Sequence, residues 1–204
     1  MTGKFFDEVY GVETAEETRA LYDKFSGSYD DAVAEQGYAT PARIAAALSA
    51  HTADHALPVL DFGCGTGLAG GALAEAGFQT IDGLDLSREM LEGAVARDVY
   101  RALAQIDAEV DLRGTAEHYA AVIACGVIGS GAAPISVFDT ILTAMAPGAL
   151  FVFSFNDHTL EDPDFEERVD TAIADGDANL ISREYGPHLP GLDMGAIVYV
   201  LEKA

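Results

Sequence analysis

The stretch Val59-Leu60-Asp61-Phe62-Gly63-Cys64-Gly65-Thr66-Gly67 decides the fold of this 204-residue chain. Its apolar residues and Asp61 predict a short buried strand, and the glycines after them predict a tight loop. Residues 68–76 then predict a helix, which Gly77 is placed to end. Such a strand, loop and helix bring bare backbone N–H groups and a helix N-terminus up to a ligand. Glycine is needed in the loop because a Cβ atom would block both the turn and the ligand's approach.

A second strand-like stretch, residues 80–85, ends at Asp85. An acid at this distance along a βαβ unit is placed to hold the two hydroxyls of a ribose. The two stretches together therefore predict a cofactor that contains a nucleoside. One alternative is NAD, because three glycines of the loop and helix fit the pattern G-x-G-x-x-G that is typical of dinucleotide sites: Gly65, Gly67 and Gly70.

The pattern Asp61-x-Gly63-x-Gly65-x-Gly67 resembles the first motif of class I S-adenosylmethionine (SAM)-dependent methyltransferases. The stretch Asp85-Leu86-Ser87-Arg88-Glu89-Met90-Leu91 resembles their second motif, in which the acid binds the ribose and apolar residues flank the adenine. The charges also favour SAM over NAD. A pyrophosphate requires a helix N-terminus without nearby negative charge, whereas the amino-acid end of SAM carries an ammonium that suits a carboxylate such as Asp61. The resemblance implies SAM as the cofactor and S-adenosylhomocysteine (SAH) as the product.

The resemblance also implies site residues outside these two motifs. In this family a polar or acidic residue just past the third strand, here residues 102–106, accepts a hydrogen bond from the adenine amino group. Asp107 stands at that position, and Asp111 is the alternative. Similar families close aromatic residues from the N-terminal segment over SAM, which implies a lid. The complete set of predicted cofactor-binding residues is Tyr29, Tyr38, Asp61, Gly63, Cys64, Gly65, Thr66, Gly67, Asp85, Leu86, Met90, Asp107, Cys125 and Gly126.

No residue is identified as a catalytic base or as part of a metal site. His158 and His188 lie in regions predicted as loops, and both are interpreted as solvated. The two cysteines, Cys64 and Cys125, have no metal-ligand spacing to another Cys or His. Methyl transfer from a sulfonium requires alignment of the reacting atoms, and it requires a base only where the acceptor is protonated. The catalytic residues are therefore left unassigned.

From Pro58 onward the chain alternates predicted strands and helices. Residues 119–125 are apolar on both faces, as a central parallel strand requires, and a glycine-rich loop follows at 126–131. Further predicted elements are a helix at 134–145, a strand at 149–155, a helix at 164–174, and strands at 179–185 and 196–202 around a loop at 186–191. The resemblance implies an α/β fold: a doubly wound, mostly parallel, seven-stranded Rossmann-like sheet with a final antiparallel strand.

The N-terminal segment predicts helices and no strand. Thr14 and Glu17 form a capping-box pattern, and three aromatic residues follow at helical spacing: Tyr22, Phe25 and Tyr29. The length suits one domain. We expect a single methyltransferase domain over residues 1–204, with a helical N-terminal cap or lid at 1–56 and the Rossmann-like core at 57–204.

Acidic residues dominate the charge: 34 Asp and Glu face 11 Lys and Arg, and the formal net charge is −23. Such a charge repels polyanions, so DNA, RNA and anionic membranes are poor candidate partners. No apolar run is long enough to cross a bilayer, and the N-terminus lacks the basic and apolar regions of a secretory signal. A cytoplasmic location with reduced cysteines is therefore expected. The oligomeric state is not predicted.

The acceptor is predicted by elimination. No Asn/Asp-Pro-Pro-Tyr sequence, which marks methylation of amino groups on adenine or glutamine, follows the fourth strand. A Pro-Cys nucleophile for cytosine methylation and a metal-ligand cluster of the catechol type are not found either. A small-molecule acceptor remains. Two other classes stay open: a module that binds SAM or SAH without methyl transfer, and an NAD-binding oxidoreductase.

Three short pieces resemble a narrower group, the small methyltransferase-like proteins of the Williams–Beuren region type. These pieces are Tyr22-Asp23 with Tyr29-Asp30, Gly37-Tyr38 with Pro41, and Val99-Tyr100 after the helix of the second motif. The substrates of that group are poorly defined, so this resemblance names no acceptor.

Overall fold

The computed structural model describes residues 3–9, 11–12 and 14–204, so four residues of the predicted cap lie outside it: Met1, Thr2, Tyr10 and Glu13. Seven strands are described: β1 (Val59–Phe62), β2 (Ile81–Asp85), β3 (Ala102–Gln105), β4 (Ala121–Ala124), β5 (Leu150–Asn156), β6 (Ala178–Leu189) and β7 (Met194–Lys203). The described α-helices are α1 (Gly3–Val9), α2 (Ala15–Glu35), α3 (Thr40–His51), α4 (Leu68–Glu75), α5 (Arg88–Ala96), α6 (Ser136–Ala144), α7 (Asp157–Leu160) and α8 (Pro163–Ala174). Short 3-10 helices lie at Ala116–His118 and Pro190–Leu192.

The strands form one sheet in the order β3-β2-β1-β4-β5-β7-β6. The strands from β3 to β5 are parallel, and β7 is antiparallel to both of its neighbours. The predicted seven-stranded, mostly parallel α/β sheet with a final antiparallel strand is confirmed. The strand order reverses at β1, which has β2 on one side and β4 on the other. Doubly wound sheets bind ligands outside the carboxyl ends of the strands at such a point.

Alternate residues of the central strands pack on opposite faces of the sheet, as the strand period of two requires. On one face, Phe151, Phe153 and Phe155 of β5 pack into a core that includes residues of α6 and α8. On the other face, Val152 packs into a core with residues of α3 and α4. Because helices cover both faces, these strands are nearly continuous apolar runs, which is why the sequence predicts them well.

The longest described helix, α2, begins where the capping-box pattern predicts. The Thr14 hydroxyl accepts a hydrogen bond from the Glu17 N–H, and the Glu17 carboxylate accepts one from the Thr14 N–H. The helix runs through Gly27 without a break and ends at Glu35. Among the described residues, no helix combines the length and the apolar character that crossing a membrane requires.

An aromatic cluster joins α1 to α2. Phe5 of α1 is buried, and the rings of Tyr29, Phe25 and Tyr22 pack edge-on against it with centroids 5.3, 5.5 and 5.6 Å away. These distances are favourable for aromatic pairs. The cluster is separate from the two cores on the faces of the sheet, so the first two helices have a small core of their own.

Residues 186–191 do not form the loop that their glycines and prolines predict. β6 continues through this segment to Leu189, and the turn lies at Pro190–Asp193 instead. Pro187 is tolerated because β6 is an edge strand, where a missing N–H does not interrupt a central ladder. The interpretation of His188 as a solvated loop residue is therefore wrong, because this side chain is buried at the end of β6.

Candidate cofactor site

A cavity of about 460 Å³ opens at the carboxyl ends of β1 to β4, where the strand order reverses. Its volume lies within the range of small-molecule sites, roughly 300–1,000 Å³. Twelve of the fourteen predicted cofactor-binding residues line it: Tyr29, Tyr38, Gly63, Cys64, Gly65, Thr66, Asp85, Leu86, Met90, Asp107, Cys125 and Gly126. Folding thus brings together the N-terminal helices, both motifs and the loop after β4.

The glycine loop is held against β2 by its own backbone. The N–H groups of Gly63 and Cys64 donate to the Leu84 carbonyl over 2.7 and 3.0 Å. The Gly65 N–H donates to the Asp85 carboxylate over 2.7 Å. Gly65 has a φ of +55°, a left-handed conformation that strains residues with a Cβ atom. The loop therefore turns tightly and presents bare backbone to the cavity.

Asp85 lines the cavity from the end of β2 and connects the two motifs. One of its oxygens accepts from the Gly65 N–H, and the other accepts from the Ser87 N–H over 2.8 Å. Burial raises the pKa of this carboxyl, against the opposite effect of these hydrogen bonds. Ser87 caps α5 as predicted, because its hydroxyl accepts from the Met90 N–H. Each oxygen of Asp85 keeps a second lone pair, so it can also accept from a ligand hydroxyl.

Two acids were candidates for the adenine amino group, and only Asp107 lines the cavity among the described residues. Asp111 instead accepts hydrogen bonds from the backbone and guanidinium of Arg113. These bonds lower the pKa of Asp111 to about 2. Asp111 is thus engaged in a local, exposed ion pair, and Asp107 is the acid that is available to a ligand.

Asp61 and Gly67 were predicted to face the cofactor, but neither lines the cavity. Asp61 is fully buried within β1 and accepts a hydrogen bond from the Tyr100 hydroxyl over 2.7 Å. Gly67 lies at the N-cap of α4 with a φ of +86°, and a Cβ atom there would lie 2.9 Å from the side chains of Arg97 and Tyr100. The need for glycine at position 67 therefore comes from backbone conformation and packing rather than from a ligand.

Tyr38 and Cys125 meet in the wall of the cavity, where the hydroxyl and the sulfur lie 3.6 Å apart. Burial raises the pKa of Cys125 to about 12 and also raises the pKa of Tyr38, so both groups are neutral at pH 7. His188 packs edge-on against Tyr38 with ring centroids 5.2 Å apart, and its Nδ1 lies 2.7 Å from the Thr40 hydroxyl. Burial lowers the pKa of His188 to about 4. His188 is therefore uncharged at pH 7, and its ring packs against Tyr38.

Polar contacts attach α2 to both motifs. The Ser87 hydroxyl donates to Asp23, and the Thr66 hydroxyl donates to Asp30, each over 2.5 Å. Arg97, just past α5, forms an ion pair with Asp30. These contacts were not predicted from the sequence, although both acids lie within the short Tyr-Asp pieces. No local pattern indicates that α2 contacts the glycine loop, because that arrangement depends on tertiary packing.

Other cavity residues were also missed. Two groups of them come from the region around the start of α2 and from the segment after β4, and most are apolar: Val12, Ala15, Thr18, Arg19, Tyr22, Val127, Ala132, Ala133, Pro134, Val137 and Thr140. Among the described lining residues, Arg19 carries the only positive charge. Its guanidinium makes no hydrogen bond or ion pair with another described residue.

Comparison of the sequence with known families identifies methyltransferase relatives. A family model described as a methyltransferase domain matches residues 5–192. The chain therefore belongs to this methyltransferase-domain family. The human methyltransferase-like protein 27 is 28% identical over 144 residues, which make up 69% of this chain and 58% of the human protein. The match thus spans less than two thirds of the length of that relative.

Solved structures share the fold at low identity. The proposed methyltransferase solved in complex with the Haloferax volcanii Trm112 methyltransferase activator has a TM-score of 0.65 at 17% identity, over 89% of this chain and 97% of that chain. A proposed RNA methyltransferase from Pyrococcus horikoshii has a TM-score of 0.62 at 11% identity, over 80% and 84%. An S-adenosylmethionine-dependent methyltransferase from Mesorhizobium loti has a TM-score of 0.57 at 17% identity, over 77% and 96%. These likenesses show the fold alone.

Proposed function

We propose that this chain transfers the methyl group of SAM to a small-molecule acceptor. The observation that carries the proposal is the composition of the cavity edge, where the glycine loop, Asp85 and Asp107 lie together. Class I methyltransferases use groups of these kinds for the amino-acid end, the ribose and the adenine of SAM. The methyltransferase-domain family match supports methyl transfer as the reaction.

Each part of the cofactor has a matching group in this assignment. Asp85 accepts hydrogen bonds from the two ribose hydroxyls, and Asp107 accepts one from the adenine amino group. The apolar residues Leu86 and Met90 flank the adenine. The aromatic faces of Tyr29 and Tyr38 attract the positive charge of the sulfonium. The narrower resemblance to the Williams–Beuren region type remains a prediction and adds no further role.

The protein's own part in the reaction is orientation and exclusion of water. SAM supplies an activated methyl group when bound, and the acceptor must lie in line with it. The raised pKa values of Tyr38 and Cys125 make both poor acids and keep them from ionising at pH 7. His188 does not line the cavity, so it is not within reach of an acceptor there. We therefore assign no general base among these three residues.

The acceptor itself is proposed to be a small, mostly apolar molecule with an acidic group. The cavity surface outside the two motifs is largely apolar, and Arg19 is its cation. This guanidinium has no described partner although the chain contains 34 acidic residues. A guanidinium recognises a carboxylate with paired hydrogen bonds, so it could fix the acid while the apolar wall holds the rest.

A nucleic-acid acceptor is the alternative, since the fold also occurs in a proposed RNA methyltransferase. The net charge of −23 opposes it. Many of the described bases are also neutralised by acids of the chain: Lys24, Arg97, Arg101, Arg113, Arg168 and Arg183. We expect no salt-dependent binding to RNA or DNA at sub-micromolar concentration in an anisotropy titration. Such binding would reject the small-molecule proposal.

The first experiment is thermal stabilisation by SAM, SAH and NAD. A ligand that binds only the native state raises the melting temperature, so the panel identifies the cofactor. We expect stabilisation by SAM and SAH and none by NAD. Stabilisation by NAD alone would replace the proposal with an oxidoreductase.

The second experiment tests transfer. The chain is incubated with SAM that carries a labelled methyl group and with a metabolite extract, and label in small molecules is measured. An Asp85→Ala variant serves as the control for uncatalysed transfer. Stabilisation by SAM without any transfer of label would favour a module that binds the cofactor and transfers nothing.

A further inference from the structure

A buried carboxylate and a tyrosine form a pair at the centre of the sheet. Asp61 of β1 is fully buried, and its Oδ2 accepts a hydrogen bond from the Tyr100 hydroxyl over 2.7 Å. Its Oδ1 has no hydrogen-bond partner, and it is the one buried side-chain atom of this kind in the described part of the chain. An unpartnered carboxylate oxygen in the interior costs free energy, so it calls for an explanation.

Three glycines provide the space that Tyr100 occupies. A Cβ atom at Gly70 would lie 2.2 Å from the Tyr100 hydroxyl, and one at Gly67 or Gly83 would lie 2.9 or 3.0 Å from its ring. The distances at Gly70 and Gly67 are too short for a side chain while the ring stays in place, and the distance at Gly83 is tighter than most real Cβ contacts. Because these glycines belong to α4 with its N-cap and to β2, two elements pack around the ring, whose hydroxyl donates to Asp61.

A second pair of the same type shows what Asp61 lacks. The Tyr119 hydroxyl donates to Asp82 of β2 over 2.8 Å, and Asp82 also forms an ion pair with Arg101. Burial acts to raise the pKa of Asp82, but the hydrogen bonds from Arg101 and Tyr119 outweigh it, and the pKa is lowered. At Asp61, where a tyrosine bonds but no cation does, burial raises the pKa to about 7. The missing component is a positive charge.

The cavity begins directly after Asp61 in the chain. Phe62, Gly63 and Cys64 all line it. A cation bound against these residues would be attracted by the buried carboxylate, because the low dielectric of the interior strengthens the interaction. The ammonium of a SAM-type cofactor would be a cation of this kind.

We propose that Tyr100 is a positioning residue for cofactor binding. Its hydrogen bond holds one oxygen of Asp61, and the other oxygen is thereby kept as the counter-charge for the ammonium of the cofactor's amino-acid part. The inference rests on the proposed function, because the ammonium belongs to SAM and SAH. It assigns a role to the glycines at positions 67, 70 and 83 as well, since they make room for the tyrosine.

The test compares two ligands and two matched variants by titration calorimetry. SAH carries the ammonium, whereas 5′-methylthioadenosine has the same nucleoside and sulfur without the ammonium or the carboxylate of the amino-acid part. Tyr100→Phe removes the hydroxyl that bonds Asp61, and Tyr119→Phe removes the equivalent hydroxyl at Asp82. We expect Tyr100→Phe to weaken SAH binding at pH 7 by roughly tenfold or more, as the loss of a hydrogen bond to a charged group implies. The affinity of Tyr100→Phe for 5′-methylthioadenosine should be unchanged. The affinity of Tyr119→Phe for both ligands should be unchanged as well.

The pH dependence of SAH affinity gives a second readout, which would not change if Tyr100 served only in packing. The titratable groups that shift the pKa of Asp61 are Tyr100 and Asp85 of β2, and Asp61 in turn raises the pKa of two cysteines after β1 and β4, Cys64 and Cys125. The Tyr100 hydrogen bond favours the ionised form of Asp61, which the ammonium requires. Between pH 6 and 8.5, the SAH affinity of Tyr100→Phe should therefore follow a curve displaced to higher pH. The curve of Tyr119→Phe should match the wild type.

A further variant guards against a simple folding defect. Gly70→Ala keeps the hydroxyl but displaces it, and we expect the same selective loss of SAH affinity. Equal losses for the two ligands, or a loss no greater than in Tyr119→Phe, would assign Tyr100 to packing and overturn the proposal. If the wild type binds SAH and 5′-methylthioadenosine equally well, the ammonium has no counter-charge and the inference fails while the cofactor assignment stands. If the wild type binds neither, the proposed function fails with it.

Discussion

The glycine loop and helix α2 border the same cavity, but different forces hold them there. The loop is bonded through its backbone to β2 and lies on the buried end of β1. Helix α2 shares an aromatic core with α1 and meets the motifs through the carboxylates of Asp23 and Asp30. Asp30 is 45% exposed, and partly exposed ion pairs contribute about 0–1 kcal/mol. We therefore expect the loop to be the fixed wall of the proposed site, and α2 to be the part that opens for cofactor exchange.

The largest effect is expected where the fixed wall meets the ribose. Asp85→Ala removes the proposed acceptor for both ribose hydroxyls, and each charge-assisted bond contributes on the order of 1.5–3 kcal/mol. We expect SAH affinity to fall by at least about 100-fold in calorimetry. Circular dichroism checks the fold, because Gly65 and Ser87 also lose their acceptor. Asp111→Ala is the control, and a loss below about tenfold in Asp85→Ala would reject the ribose role.

The next largest effect is expected for Asp61, the buried acid of β1 that precedes the glycine loop. Burial raises the pKa of Asp61 to about 7, above the value of about 3.9 for an exposed aspartate. Because the folded pKa is the higher one, the contribution of Asp61 to stability is present at low pH and is lost as the pH rises through 7. Relative to the wild type, Asp61→Asn should therefore gain about 2 kcal/mol of stability between pH 5 and 7. Urea unfolding at several pH values measures this, and parallel curves for the two proteins would contradict it.

On the side of α2, we expect ligand binding to slow the local opening of the segment at residues 14–40. Tyr29 and Tyr38 line the cavity, so a bound cofactor would add contacts to the segment that carries them. We expect amide hydrogen exchange in residues 14–40 to slow by roughly tenfold with SAH, while the central strands stay protected in both states. Equal exchange of residues 14–40 with and without SAH would show that these tyrosines are core residues and not a lid.

The smallest effect is expected from a substitution that weakens only the attachment of α2 to α5. Asp30→Asn removes the charge that pairs with Arg97 and should cost about 0.5–1 kcal/mol of local stability. Asp139→Asn is a matched control, because the Asp139–Arg168 pair has side-chain exposures of 43% and 29%, against 45% and 28% for Asp30–Arg97. Exchange in α2 should quicken in Asp30→Asn and not in Asp139→Asn. The same exchange rates in both variants would mean that the aromatic cluster holds α2 without help.

Much of the site follows from local patterns in the chain. The glycine loop, the acid that ends β2 and the cap at Ser87 were predicted because each depends on residues within a few positions of one another. The choice between Asp107 and Asp111 was left open, since both follow the same strand, and it depends on the ion pair of Asp111 with Arg113. The prediction of a loop at 186–191 was wrong because turn residues are tolerated in an edge strand, and edge position is a property of the sheet.

The sequence by itself determined the alternation of strands and helices after Pro58, the glycine loop and the family, because period, glycine placement and motif spacing are local properties. Only the tertiary structure decided that Asp61 pairs with Tyr100 instead of lining the cavity, that His188 is buried against Tyr38, and that α2 contacts the glycine loop through Asp30. These contacts depend on which segments, distant in sequence, pack against each other in the fold. A buried carboxylate and an exposed one have the same letter in the sequence, and their different pKa values and partners arise when packing removes one of them from water.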